Sequence, residues 1–136
     1  MQRGDEDTVL KAGHLFDGTP AREWATSFLS EPTHHLFLAF DAEVPVGFVS
    51  GVETTHPDKG TEMFLYELSV DPRHRRRGAG NALVRALEAV ARERGCYGMW
   101  VATEPDNVAA LATYRSAGAS EPEAAVALDW SFEDPP

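Results

Sequence analysis

The spacing of apolar positions changes several times along the chain, and each change predicts an element. Residues 7–16 and 20–30 read as helices; in the second, Trp24, Phe28 and Leu29 recur at helical spacing and Pro20 stands in the first turn. Residues 36–40 are a short apolar run, 41–45 a turn and 46–52 a second run, the pattern of a β-hairpin. Residues 53–60 are polar and turn-forming throughout and read as a loop. Residues 63–70 read as a third strand, stopped at Asp71-Pro72 because proline cannot donate to a ladder.

The second half alternates helix and strand. Ala82, Leu83, Ala86, Leu87 and Val90 repeat at the helical period within 78–94, and Gly95 is a natural stop. Residues 97–102 predict a strand. Residues 107–117 predict a helix, with Asn107 as its N-cap and Gly118 after its end. Residues 125–132 predict a final strand. Two helices, three strands and then alternating elements describe an α/β (α+β) layer fold, helices packed on a sheet. With no linker or repeat, the 136 residues read as a single domain.

Composition narrows the class. Hydrophobic residues at 43% and charged ones at 25% are the balance of an ordinary folded domain. No apolar run is long enough for a transmembrane helix, the N-terminus is polar and acidic, and Cys96 is the single cysteine. These features point to the cytoplasm, with no membrane partner. The formal net charge is -10, which argues against nucleic acid as a partner and favours a cationic one. The exception is 73–94, where Arg73, Arg75, Arg76, Arg77, Arg85, Arg92 and Arg94 face only Glu88 and Glu93. That island should meet an anion.

The sharpest local signal is a strand, an arginine-rich loop, two close glycines and a helix. Gly78 and Gly80 let backbone approach a ligand, the first amides of the helix are unsatisfied, and its dipole favours negative charge. Together these form a phosphate cradle rimmed by Arg75, Arg76 and Arg77. A P-loop would need a lysine here, and the only lysines are Lys11 and Lys59. A dinucleotide fingerprint would need glycine at Leu83.

Arg75-Arg76-Arg77-Gly78-Ala79-Gly80 resembles the pyrophosphate-binding motif of the GCN5-related N-acetyltransferases, and the helix carrying Asn107, Ala110 and Tyr114 resembles their second CoA-contacting helix. The resemblance covers roughly 36–132. It implies a mixed, mostly antiparallel sheet with helices on both faces, and acetyl-CoA as co-substrate. The implied contacts are Leu68, Ser69 and Val70 on the third strand, Arg75, Arg76, Arg77, Gly78, Ala79 and Gly80 in the loop, and Asn107, Ala110 and Tyr114 on the helix. Family members usually begin with a strand, for which only residues 2–4 are available, so that strand is expected to be absent, vestigial or cut off.

Residues 63–119 further resemble the aminoglycoside 3-N-acetyltransferases of the gentamicin-resistance class. The likeness rests on the run Tyr66-Glu67-Leu68-Ser69-Val70, on Val101 with Glu104, and on the step from Glu104 to Tyr114. It implies a polycationic amine acceptor, an aminoglycoside antibiotic acetylated at the 3-N position of its central ring. Glu53, Glu67, Glu104 and Asp129, at strand ends or in loops, are the candidate substrate carboxylates. Glu67 stands out, because an ionised carboxylate is rarely placed within an apolar strand without purpose.

An amine must be neutral to attack a thioester, so a base or a water relay is needed. Glu67 is the candidate base and Glu104 the alternative. Tyr114, a phenol with an ordinary pKa of about 10, suits protonation of the departing thiolate. A backbone amide near residues 68–70 would polarise the thioester oxygen. No His, Cys and acid cluster has metal-ligand spacing, so no metal is expected. Cys96 reads as a structural thiol, and Trp24, Trp100 and Trp130 as core or dimer-interface residues. The apolar run 124–130 and the family's habit of pairing through C-terminal strands imply a homodimer. Two other functions stay open: acetylation of a different amine (a polyamine, a small metabolite or a protein N-terminus), and a CoA-binding regulatory module without catalysis.

Overall fold

Four strands form one sheet in the order β1–β2–β3–β4: His34–Asp41, Val44–His56, Gly60–Val70 and Met99–Trp100. The computed structural model describes residues 1–133 apart from Arg76. That arginine's expected role on the cradle therefore lies outside the described residues. β1, β2 and β3 are antiparallel neighbours, and β4 runs parallel to β3. The sheet is mixed and mostly antiparallel, as expected.

Helices cover both faces. α1 (Glu6–Lys11) and α2 (Arg22–Ser30) lie on one face, where Val9, Ala12, Leu15, Ala25 and Leu29 bury against Leu36 and Phe48. α3 (Ala79–Glu93) and α4 (Val108–Ser116) lie on the other, where Leu83, Val84, Leu87 and Ala91 bury against Val49, Met63 and Leu65. The alternation of Phe48 and Val49 between the two cores is the strand period at work. Burying a side chain such as Leu87 completely is worth about 1.5–3 kcal/mol. α3 seats closely because β2 has no side chain at Gly51, where a Cβ would lie 2.7 Å from Leu87 Cδ1.

Four element expectations need correction. The first helix is shorter than 7–16: α1 ends at Lys11 and a separate 3-10 turn spans Gly13–Leu15. Residues 53–60 are not a loop, because β2 continues to His56 and β3 begins at Gly60. Polar cross-strand pairs sustain that extension: the Thr55 and Thr61 hydroxyls lie 2.8 Å apart, and His56 Nε2 lies 3.1 Å from Glu62 Oε1. β4 is only Met99–Trp100, against an expectation of 97–102.

The fourth correction concerns the final strand. Residues 125–132 have no regular structure, and Val126, Leu128, Trp130 and Phe132 are exposed. The alternation offers one apolar face, but a strand also needs a neighbour for its backbone groups. None is provided among the described residues. Residues 1–4 form no strand either; their tie to the sheet is the Met1 ammonium donating to the Leu36 carbonyl at 3.0 Å.

Candidate active site

β3 carries a bulge that decides where its side chains point. Ser50 pairs with Glu67 and Gly51 with Leu65, so Tyr66 is one extra residue on β3. Before the bulge, Met63 and Leu65 face the α3 core. After it, Leu68 and Val70 pack on that core, and Glu67 turns to the opposite face. There it enters a cleft of about 710 Å³ between the sheet and the α1–α2 side. Phe16, Trp24, Phe28 and Leu36 supply apolar walls, with Ser50 and Tyr66 beside Glu67.

Asp17, from the loop before α2, lines the same cleft. Burial raises the Glu67 carboxyl above its ordinary value, and the negative charge of Asp17 raises it further. A carboxylate so placed is a better base near neutral pH than an exposed one. Asp17 and Tyr66 escaped the sequence reading. The first sat in an ordinary loop, and the second gains meaning only from the ladder register.

The cradle lies at the far end of β3. β4 pairs only at Met63 and Phe64, so the β3 edge beyond them has no strand partner among the described residues. Asp71 follows, and its side chain accepts from the Arg73 amide and caps the turn Pro72–His74. Arg75 Nε then donates to the Val70 carbonyl at 3.2 Å, pinning the loop to the strand end. Gly78, the N-cap of α3, has φ +83° and no side-chain cap, so the opening amides of α3 are left for a ligand. Gly80 serves packing as well: a Cβ there would lie 3.1 Å from Thr113 Cγ2 on α4.

The basic island disperses in three dimensions. Arg92 pairs with Glu88, Arg94 with Glu53, and Arg85 donates to the Ser116 carbonyl. Arg75 and Arg77 remain at the cradle, with Arg77 and Gly78 bordering a second hollow of about 350 Å³ beside Asp41 and His74. The pieces present fit a pyrophosphate: uncapped amides, a left-handed glycine and an adjacent guanidinium.

α4 brings its residues to the same side of the sheet as α3. Tyr114 is buried in the α3 core, and that burial raises its phenol above the ordinary tyrosine value. Ala110 packs on the same cluster. Asn107 caps the helix, its side chain accepting from the Ala110 amide at 3.1 Å, so its first duty is structural.

The described residues hold no group of His, Cys, Asp and Glu able to bind a metal ion. The model of the acetyltransferase (GNAT) family matches residues 7–119. The chain belongs to the GNAT acetyltransferase family. Acetyl-CoA is the acyl donor of that family. The chain is 33% identical over 93 residues to human N-acetyltransferase 8, a match covering 68% of this chain and 41% of that protein. It is 36% identical over 74 residues to an L-2,4-diaminobutyric acid acetyltransferase of Streptomyces coelicolor, covering 54% and 42% respectively. The match thus spans only about two fifths of the length of these curated relatives. An aminoglycoside acetyltransferase from an uncultured soil metagenomic sample, in complex with trehalose, superimposes with a TM-score of 0.89. That likeness covers 98% of this chain and 93% of the other at 20% identity, and it speaks to the fold.

Three of the expected carboxylates stand apart from the GNAT cleft. Glu53 is engaged elsewhere: its side chain is only 6% exposed, with His35 Nε2 at 2.7 Å and Arg94 Nε at 2.9 Å. Glu104 is exposed in the turn before α4, where its carbonyl accepts from the Asn107 amide. Asp129 is exposed on the irregular C-terminal stretch. Cys96 is partly buried against the α3 core, as expected of a structural thiol, and burial raises its pKa. The three tryptophans are not core residues. Trp24 is 69% exposed on the cleft rim, and Trp100 stacks on Phe64 with centroids 4.3 Å apart.

Proposed function

We propose that this GNAT domain transfers an acetyl group from acetyl-CoA to a primary amine of a cationic small molecule, by direct attack and without a covalent enzyme intermediate. The observation that carries the reading is the bulge at Tyr66. It turns Glu67 into the cleft on one side of the sheet, while β3 continues to the cradle on the other. Acetyl-CoA, once bound, supplies the activated thioester carbonyl. In this reading Arg75, Arg77, Gly78, Ala79 and Gly80 hold its pyrophosphate, with Arg76 from the same motif. The β3 edge at Leu68, Ser69 and Val70 aligns the pantetheine arm and offers an amide to the thioester oxygen. Ala110 and Asn107 flank that arm from α4.

Glu67 removes the proton from the acceptor ammonium, directly or through one water, and Tyr114 protonates the departing thiolate. Glu104, in the turn before α4 and outside the lining of the cleft, is kept as the alternative base or an outer anchor, and Asp129 as an outer anchor only. The finer reading is an aminoglycoside acetylated on its central ring, at the 3-N position. It draws support from the net charge of -10 and from the shared fold of an aminoglycoside acetyltransferase. A smaller diamino acceptor is the second reading, favoured by the relative that acts on L-2,4-diaminobutyric acid and by a cleft lined mostly by apolar side chains.

The proposed setting is the cytoplasm and the proposed assembly a homodimer. The exposed alternation of Val126, Leu128, Trp130 and Phe132 is the surface that a second copy would cover. Light scattering should then give twice 14.9 kDa, and a monomer mass at micromolar concentration counts against the dimer. The transferase reading is tested by incubating the protein with acetyl-CoA and a panel of amines and following thiol release. Release that depends on an amine supports it. Tight CoA binding without turnover of any amine would show a catalytically silent module.

A further inference from the structure

Several acids of the described residues lie within ion-pair distance of a basic side chain, and Asp17 is not among them. Among the described residues, Asp7 meets Arg22, Asp41 meets His74, Glu53 meets Arg94, Glu62 meets His56 and Glu88 meets Arg92. Asp17 and Glu67 have no such cation, and both line the same cleft. The walls around them are aromatic and aliphatic. Two large rings, Trp24 at 69% exposure and Tyr66 at 62%, stand at the cleft without being buried in either core. Carboxylates facing an apolar hollow call for cations, and exposed ring faces attract ammonium groups and cover carbon frames.

On the N-acetyltransferase reading, we infer that the cleft takes a diamine: one amino group is acetylated beside Glu67 while Asp17 holds a second ammonium of the same molecule. Trp24 and Tyr66 pack against the carbon frame between the two. Charge bookkeeping during the reaction favours this arrangement over a monoamine. The reacting ammonium gives its proton to Glu67, its nitrogen bonds to the acetyl carbon, the carbon–sulfur bond breaks and the thiolate takes a proton from Tyr114. Glu67 is then neutral, and the reacting nitrogen is an uncharged amide. A monoamine leaves Asp17 to solvent throughout, whereas a diamine keeps its second ammonium there from binding to release. Asp17 is thus a positioning and specificity residue, acting on KM more than on kcat.

The test measures thiol release with acetyl-CoA across the series from ethylenediamine to cadaverine, each compared with the alkylamine of equal length. Wild type should prefer the best diamine by about tenfold or more in kcat/KM, the size of one charge-assisted contact. Asp17→Asn should lower the diamine-to-monoamine ratio of kcat/KM by about tenfold, mainly through the diamine KM, and leave the KM for acetyl-CoA unchanged; the loss of the Asp17 charge beside Glu67 acts on both amines and cancels in that ratio. Asp17→Glu should keep the diamine preference and shift the best chain length. The loop site is exposed, so these variants should melt as wild type does. Amine turnover with no diamine preference, or a preference that survives Asp17→Asn, overturns the inference alone. Failure of every amine to turn over, in a protein that still binds CoA, overturns the transferase reading and the inference with it.

Discussion

Ser50 faces Glu67 across the β2–β3 ladder, and both residues line the cleft on the α1–α2 side of the sheet. One residue further along β2, Gly51 faces Leu65, on the opposite side of the sheet from that cleft. The inserted Tyr66 separates these two registers. A strand without it would send Glu67 into the α3 core, where an ionised carboxylate has no partner.

The raised Glu67 carboxyl makes two pH statements. Activity should need the ionised form, so kcat/KM should fall as pH drops through a value above the ordinary 4.5 of glutamate. Stability runs the other way. The folded state keeps the proton to higher pH than the unfolded chain, so stability is lost as pH rises from 4.5 through the raised folded value. Glu67→Gln should therefore match wild type in melting temperature at acid pH and exceed it near neutrality. A pH-independent difference in melting temperature would contradict the assignment.

Tyr114→Phe should lower kcat by about 10²-fold while acetyl-CoA affinity stays within about twofold, since one proton is removed and the ring remains. The wild-type phenol is pushed above its usual value of about 10, so it should contribute no alkaline fall in activity below that pH. An unchanged kcat in steady-state assays would make Tyr114 a packing residue.

Glu53 is held by His35 and Arg94, which ties its carboxylate into the fold. Glu53→Ala leaves Arg94 and His35 without their shared partner and should cost about 1–3 kcal/mol by urea denaturation. The KM for the amine should stay as in wild type. A selective rise in that KM, at unchanged stability, would return Glu53 to the substrate site.

Gly78→Asp should abolish CoA binding, because it puts both a side chain and a negative charge beside the cradle, at a position whose φ of +83° suits glycine. Gly78→Asn separates the two effects, since asparagine matches aspartate in size and in tolerance of that backbone and carries no charge. Calorimetry should rank affinities as wild type, then Asn, then Asp. Equal affinities for all three would move the pyrophosphate elsewhere.

Local elements were legible wherever a single chain segment carries its own pattern. Leu83 and Leu87 gave α3 by period, Gly78 its start, and Asn107 the cap of α4. What stayed hidden depends on partners distant in sequence. Glu53 looked like a loop acid because its partners, His35 and Arg94, are 18 and 41 residues away. The bulge at Tyr66 is a property of the β2–β3 register and not of β3 alone. The alternation over 125–132 promised a strand, yet a strand forms only against a neighbour, and alternation says nothing about who supplies it.

The central claim is that Glu67 drives acetyl transfer without holding the co-substrate. Steady-state turnover of Glu67→Gln, with the CoA affinity of the same preparation measured by calorimetry, tests it most directly. The account predicts a kcat loss of about 10²-fold or more with CoA affinity within about twofold of wild type. A kcat equal to that of wild type across the pH range would contradict it.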